Sequence, residues 1–240
     1  MKRFWTRAEA VPEEGGFAVT LDGKPVRLPD STPLCLPSAA LAQSVAAEWD
    51  GLPEEFTQED IPLTRLAGTA QQRVAAAMEE VAAELARYGE SDLLCYRAGQ
   101  TPQLAEQQAR EWQPWLDWAQ ARYGARLACT DALRHQPQDS AALAALAGVL
   151  AAQGVAALTA LGVMVPALGS LVLGLAVIEG RLAPQEAHRL SLLDELHQEA
   201  AWGADDLALA RRARVAAEIA LAARFAREAS LPARLPDNPA

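Results

Sequence analysis

The chain has 240 residues, half of them hydrophobic but only 5% aromatic, with a formal charge of −10. That length supplies ample core for one large domain or two small ones. The acidic balance excludes strong nucleic-acid binding, which needs a basic patch for phosphates, and points to acidic solubility or to a basic or apolar protein partner. Cys35, Cys95 and Cys129 are far apart and without CxxC spacing, and read as reduced thiols of a cytosolic protein.

The N-terminal third reads as β-rich. "FAVTLDGKPVRL" is two short runs around Asp22-Gly23, a hairpin signal. "PLCLP" is a further short strand between Pro33 and Pro37. Ser38 is a good N-cap for the helix "AALAQSVAAEWD". "GLPEEFTQEDIP" is a loop. From Pro62 onward the chain is Ala-rich and periodic at helical spacing. One helix is expected through "LTRLAGTAQQRVAAAMEEVAAELARYG", stopped at Gly89. The next contains Trp112, Trp115 and Trp118, read as core, and is kinked or restarted at Pro114. Ser140 is expected to cap an Ala-rich helix, followed by two apolar helices meeting near Pro166. A single helix is expected from Pro184 to Gly203, and a last one from Asp205 to about Ser230. The fold class is therefore α+β: an N-terminal α+β domain over 1–61, a helical domain over 62–230, and a Pro-rich tail over 231–240 expected to be disordered.

Ser140 to Ile178 carries no charge and is long enough to span a bilayer. Gln153, Thr159, Pro166, Gly169 and Ser170 interrupt it, and no Lys/Arg cluster or aromatic belt flanks it. Buried core helices are the expectation, with a membrane-anchored factor as the competing reading.

No phosphate-binding loop, GxGxxG, GxSxG or HExxH is present. The densest chemistry is "DELHQEAAWGADD", Asp194 to Asp206, rich in acids and without Lys or Arg. On one continuous helix, Leu193, Leu196 and Ala200 share a face, while His188, Glu195, Gln198, Glu199 and Trp202 share the opposite one. His188 and Glu195 then lie about 10 Å apart along the axis, too far for one metal whose ligand bonds are each about 2 Å. No metal, cofactor or catalytic group is expected. Trp202 beside acids suits either packing on another part of the chain or a partner surface, where Trp anchors and acids select. The competing reading is a carboxylate-based enzyme using Glu195 or Glu199, perhaps metal-assisted.

"RFW" at Arg3 to Trp5, "LDGKPVRLP", "LAQSVAAEWD", "IPLTRLAGTAQQRV", "YGESDLLCYRA", "QQAREWQPWLDWA" and "DELHQEAAWGADD" occur in one order along Arg3 to Ser230. Together this set resembles the assembly chaperones that handle the alpha subunit of F-type ATP synthase. The resemblance implies a non-enzymatic chaperone, with a small α+β domain followed by a helical domain. It implies one partner, the unassembled alpha subunit, and neither nucleic acid nor stable membrane insertion; a monomer is expected. Eukaryotic relatives work in the mitochondrial matrix. This chain starts almost at the family's "RFW", so a bacterial, cytoplasmic protein without a presequence is expected. The family's late acidic motif falls on Asp194, Glu195, Gln198, Trp202, Gly203 and Asp205, and with Glu199 these residues form the expected partner-binding set. Leu207 stands where an acid is usual, and Ile61 and Gly68 stand for the family's common Met and Asn.

Overall fold

The computed structural model describes residues 1–132, 134–203 and 205–232. The α+β class is as expected: four short strands near the N-terminus, then helices to the end of the described chain. Two compact units result. The first comprises Met1–Ala77 and the chain from Arg224 on, and the second Met78–Ala223. The expected tail over 231–240 lies, from residue 233, outside the described residues.

In the first unit, β1 (Ala8–Glu13), β2 (Gly16–Leu21), β3 (Lys24–Pro25) and β4 (Cys35–Leu36) form an antiparallel sheet in which β2 pairs with the other three. The β2–β3 turn is the expected one: Asp22 (φ 47°) and Gly23 (φ 81°) both take the positive φ that a type I′ turn requires. Strand β1 carries no alternation in sequence and is a strand because β2 pairs with it along its whole length.

Helix α1 (Ala39–Asp50) starts at Ser38, whose Oγ accepts from Leu41 N at 3.1 Å. Its end is held by the "RFW" segment. The Arg3 guanidinium donates to the Asp50 and Leu52 carbonyls at 2.9 and 2.8 Å, and Trp5 Nε1 donates to the Trp49 carbonyl at 3.3 Å. Trp49 stands edge-on to Trp5 and Phe56, with ring centroids 5.1 and 5.9 Å away, and donates from Nε1 to Thr64 Oγ1 at 2.9 Å. All these partners lie within the first unit. Glu48 caps the next helix, α2 (Pro62–Thr69), from outside: its carboxylate accepts from Leu63 N, Thr64 N and the Thr64 hydroxyl. Four orphan N–H groups and the positive end of the dipole favour an anion there.

The helix expected to run on to Gly89 is interrupted. After α2 the chain makes a π-helical turn over Ala70–Val74, in which Ala75 N donates to the Ala70 carbonyl, and α3 (Met78–Ala86) opens the second unit. An inserted residue of this kind does not change apolar spacing enough to be read from sequence.

The second unit continues with α4 (Pro102–Tyr123), α5 (Ser140–Ala151), α6 (Val155–Leu168), α7 (Leu171–Ile178), α8 (Pro184–Ser191), α9 (Leu193–Trp202) and most of α10 (Asp206–Ala229). Pro114 sits inside one continuous α4. Trp112 is wholly buried and donates to the Leu190 carbonyl at 2.9 Å, whereas Trp115 and Trp118 are half-buried. Asp139, not Ser140, caps α5 by accepting from Ala141 N. The two apolar helices part at Gly169 (φ 64°), not at Pro166, because only a left-handed residue turns the chain there.

The uncharged segment is thus α5, α6 and α7. Every residue of α7 from Leu171 to Val177 is buried, so α7 is apolar on all sides because protein surrounds it. No helix among the described residues is long and apolar enough to cross a membrane. Gly174 permits the closest approach. A Cβ there would stand 2.8 Å from Val165 Cγ2 and 3.2 Å from Leu161 Cδ2 on α6. Gly174→Ala should gain about 1 kcal/mol of helix propensity but cost about 1–3 kcal/mol in overpacking. A lowered urea midpoint is expected, and a raised one would show that α6 yields.

The N-terminus of α7 rests on a fully buried carboxylate. Asp92 Oδ1 accepts from Leu94 N at 3.0 Å, and Oδ2 accepts from Val172 N at 3.0 Å. Burial pushes the Asp92 carboxyl above the usual range, against the pull of these N–H donors.

Candidate docking face on helices α9 and α10

The helix expected from Pro184 to Gly203 breaks at Leu192, which leaves helical geometry with φ −105° and ψ 9°. The break rotates α9 relative to α8, so one helical wheel cannot place both. His188, expected on the polar face, is buried in α8, and burial holds its imidazole below the usual pKa, with Arg212 adding to the effect and Glu195 opposing it.

Along α9 the hold on the core fades. Leu193 is buried, Leu196 is half-buried and Ala200 is exposed. Trp202, the last helical residue, is 83% exposed. Among the described residues it is not packed into the chain. Gly203 (φ 91°) then turns the chain, and Leu207 and Leu209 of α10 follow as exposed apolar residues, Leu207 at 80%. Three large apolar side chains within eight residues of chain are therefore left in water.

The acids around them are not equivalent. Asp194 accepts from Gln108 Nε2 at 2.5 Å, and Gln108, fully buried on α4, accepts from Ala98 N at 2.7 Å. Asp194 thus ties α9 to the connector before α4. Glu195 pairs with Arg211 at 3.0 Å and Arg212 at 3.4 Å, and Glu199 pairs with Arg212. The Arg212 side chain is only 11% exposed, so it is the inner member of the network. Its Nε lies near Glu195 but is not aligned for a hydrogen bond. Gln198 is exposed, and Asp205 accepts from Leu207 N at 3.2 Å in the first turn of α10.

Glu195 is therefore not an open carboxylate awaiting a cation, as its place on the polar face suggested; its own chain supplies two. Arg211 and Arg212, which pair with α9, and the exposed Leu207 and Leu209 of α10 were not among the expected residues. A signal for one of them exists in the sequence, since Glu195 and Arg211 stand eight residues to either side of Gly203. A chain folding back at that glycine brings them together. As for metals, the described residues hold no group of three or more His, Cys, Asp and Glu placed to bind one. Both carboxylates of the enzymatic alternative, Glu195 and Glu199, are engaged by guanidinium groups.

The crystal structure of Atp12 from Paracoccus denitrificans superposes on this chain with a TM-score of 0.91 at 41% identity, covering 95% of this chain and 98% of that one. A family model described as ATP12 chaperone protein matches residues 2–120. The chain belongs to the ATP12 chaperone family. An aspartate-to-lysine mutant of P. denitrificans Atp12p is equally similar, at TM-score 0.91 and 41% identity, covering 95% of this chain and 97% of that one. Atu1473 from Agrobacterium tumefaciens matches with a TM-score of 0.89 at 39% identity, covering 95% of this chain and 85% of that one. The segment matched by the family model ends within α4, so the face on α9 and α10 lies beyond it.

Proposed function

We propose that this ATP12-family chaperone binds the unassembled alpha subunit of an F-type ATP synthase through the face formed by α9 and the start of α10, and so promotes assembly of the catalytic head. The observation that carries the reading is the exposure of Trp202 together with Leu207 and Leu209. Trp is the residue type most enriched among binding hot spots, and an unassembled subunit exposes apolar surface that its neighbour normally covers. Asp194, Glu195, Gln198, Glu199 and Asp205 surround this anchor as selective polar groups. From Asp194 to Arg212, five carboxylates stand against two guanidinium groups, a net charge of −3. That balance favours a basic rim on the partner and an affinity that falls with salt. The protein acts by covering surface, with no chemistry of its own, as a monomer in the cytoplasm.

The test is co-purification with its own alpha subunit in the absence of beta, followed by suppression of alpha-subunit aggregation. Trp202→Ala should weaken binding by about 30-fold, corresponding to about 2 kcal/mol for a hot-spot Trp. Melting should be unchanged, because the side chain touches little of its own protein. Glu195→Lys sets a third cation beside Arg211 and Arg212. It should also reduce suppression, while folding loses only about 1 kcal/mol, since these ion pairs are partly exposed. Full suppression by Trp202→Ala would remove this face from the proposal.

A further inference from the structure

Two of the three free cysteines, Cys95 and Cys129, adjoin one backbone bridge. After the short 3-10 turn Leu93–Cys95, Tyr96 forms a parallel bridge with Thr130. Thr130 N donates to the Cys95 carbonyl, and Arg97 N to the Thr130 carbonyl, both at 2.8 Å. Bridged parallel segments run about 5 Å apart. Cys95 and Cys129 each precede a bridging residue, and the Thr130 N to Cys95 carbonyl bond holds the two backbones together there, an approach of the kind a disulfide requires. Arg97 Nη2 lies 3.7 Å from the Cys129 sulfur, and the same guanidinium reaches the Gln108 carbonyl and Gln113 on α4.

Access separates the two thiols. Cys129 is exposed on the wall of a cleft of about 490 Å³ that also carries Asp117, Arg126 and Asp139. Cys95 is fully buried. Burial, with Asp92 and Cys129 adding to it, pushes its thiol well above the ordinary range, so Cys95 stays protonated and unreactive toward solvent. Cys35 sits on β4, in the other compact unit.

We propose that Cys129 and Cys95 form a peroxide-reactive thiol pair, with Cys129 as the attacking sulfur and Cys95 as the resolving one. The Cys129 thiolate attacks one oxygen of hydrogen peroxide. The O–O bond breaks, hydroxide leaves and takes up the proton released by the thiol, and Cys129 becomes a sulfenic acid. Cys95 then attacks the Cys129 sulfur as its proton passes to the departing oxygen. The S–S bond forms, the S–O bond breaks, and the second oxygen leaves as water. Two thiols are oxidised by two electrons in total, and one peroxide is reduced to two waters. The disulfide joins the connector at Leu93–Arg97 to the irregular segment before Thr130.

The test uses the full folded chain. Hydrogen peroxide is added, remaining thiols are alkylated with N-ethylmaleimide, and the digest is mapped by mass spectrometry. The expected product is a Cys95–Cys129 cross-linked peptide, lighter by two hydrogens, with Cys35 alkylated. Dithiothreitol should reverse the link. In Cys95→Ser, Cys129 should instead proceed to sulfinic acid, because nothing resolves the sulfenic acid. Sulfinic acid at Cys129 of the unsubstituted protein with Cys95 still free, a cross-link through Cys35, or three unchanged thiols would each overturn the proposal.

Discussion

Replacing Trp49 with alanine is expected to lower the unfolding free energy of the first unit by about 3–5 kcal/mol, the range for truncating a buried Trp. The ring is 8% exposed, lies edge-on to Trp5 and Phe56, and spends its only donor on Thr64 Oγ1. The alanine variant therefore loses apolar contact, aromatic edge contacts and a buried hydrogen bond together. It also strips a partner from Thr64, which Glu48 shares in capping α2. Trp49→Phe should recover most of the loss, leaving about 1 kcal/mol for the missing N–H donor. Denaturant unfolding followed by far-ultraviolet circular dichroism measures both variants. An unchanged midpoint for Trp49→Ala would show that the aromatic cluster does not hold this unit together.

Asp92→Ala should be nearly as damaging to the second unit. The change leaves Leu94 N and Val172 N without acceptors in a fully buried site. Each orphaned buried donor costs about 1–3 kcal/mol. The helix start it weakens belongs to α7, the most deeply buried helix of this unit, where Ser170 still accepts from Leu173 N. Asp92→Asn separates charge from hydrogen bonding. The amide keeps one acceptor but turns an NH₂ toward a backbone N–H, so it should recover only part of the loss. Hydrogen exchange at the amides of Val172 and Leu173 reads the result locally. Protection there that survives Asp92→Ala would mean that packing alone fixes the start of α7.

The family resemblance was legible in short motifs spread along the chain, and several of these are visible as local physics. Asp22-Gly23 carries its own turn, because the φ values of a type I′ turn suit those two residues whatever surrounds them. Ser38 carries its own cap. The acidic stretch from Asp194 stood out for its composition, and the exposed Trp202 lies within it. Its inner arrangement did not stand out, because helical phasing assumed a continuous axis and the axis breaks at Leu192.

What the sequence determined by itself is therefore whatever depends on residues a few positions apart: the turn, the Ser38 cap, the helix-rich C-terminal part, the acidity and the motif order. Tertiary structure alone decided the partners of the polar groups. Gln108 meets Asp194 across 86 positions, and Val172 meets Asp92 across 80. Periodicity says which face of a helix is apolar, but not which distant donor will stand opposite a given carboxylate. That choice depends on how the helices close on one another, where burying a carboxylate such as Asp92 is tolerable only if a donor arrives with it.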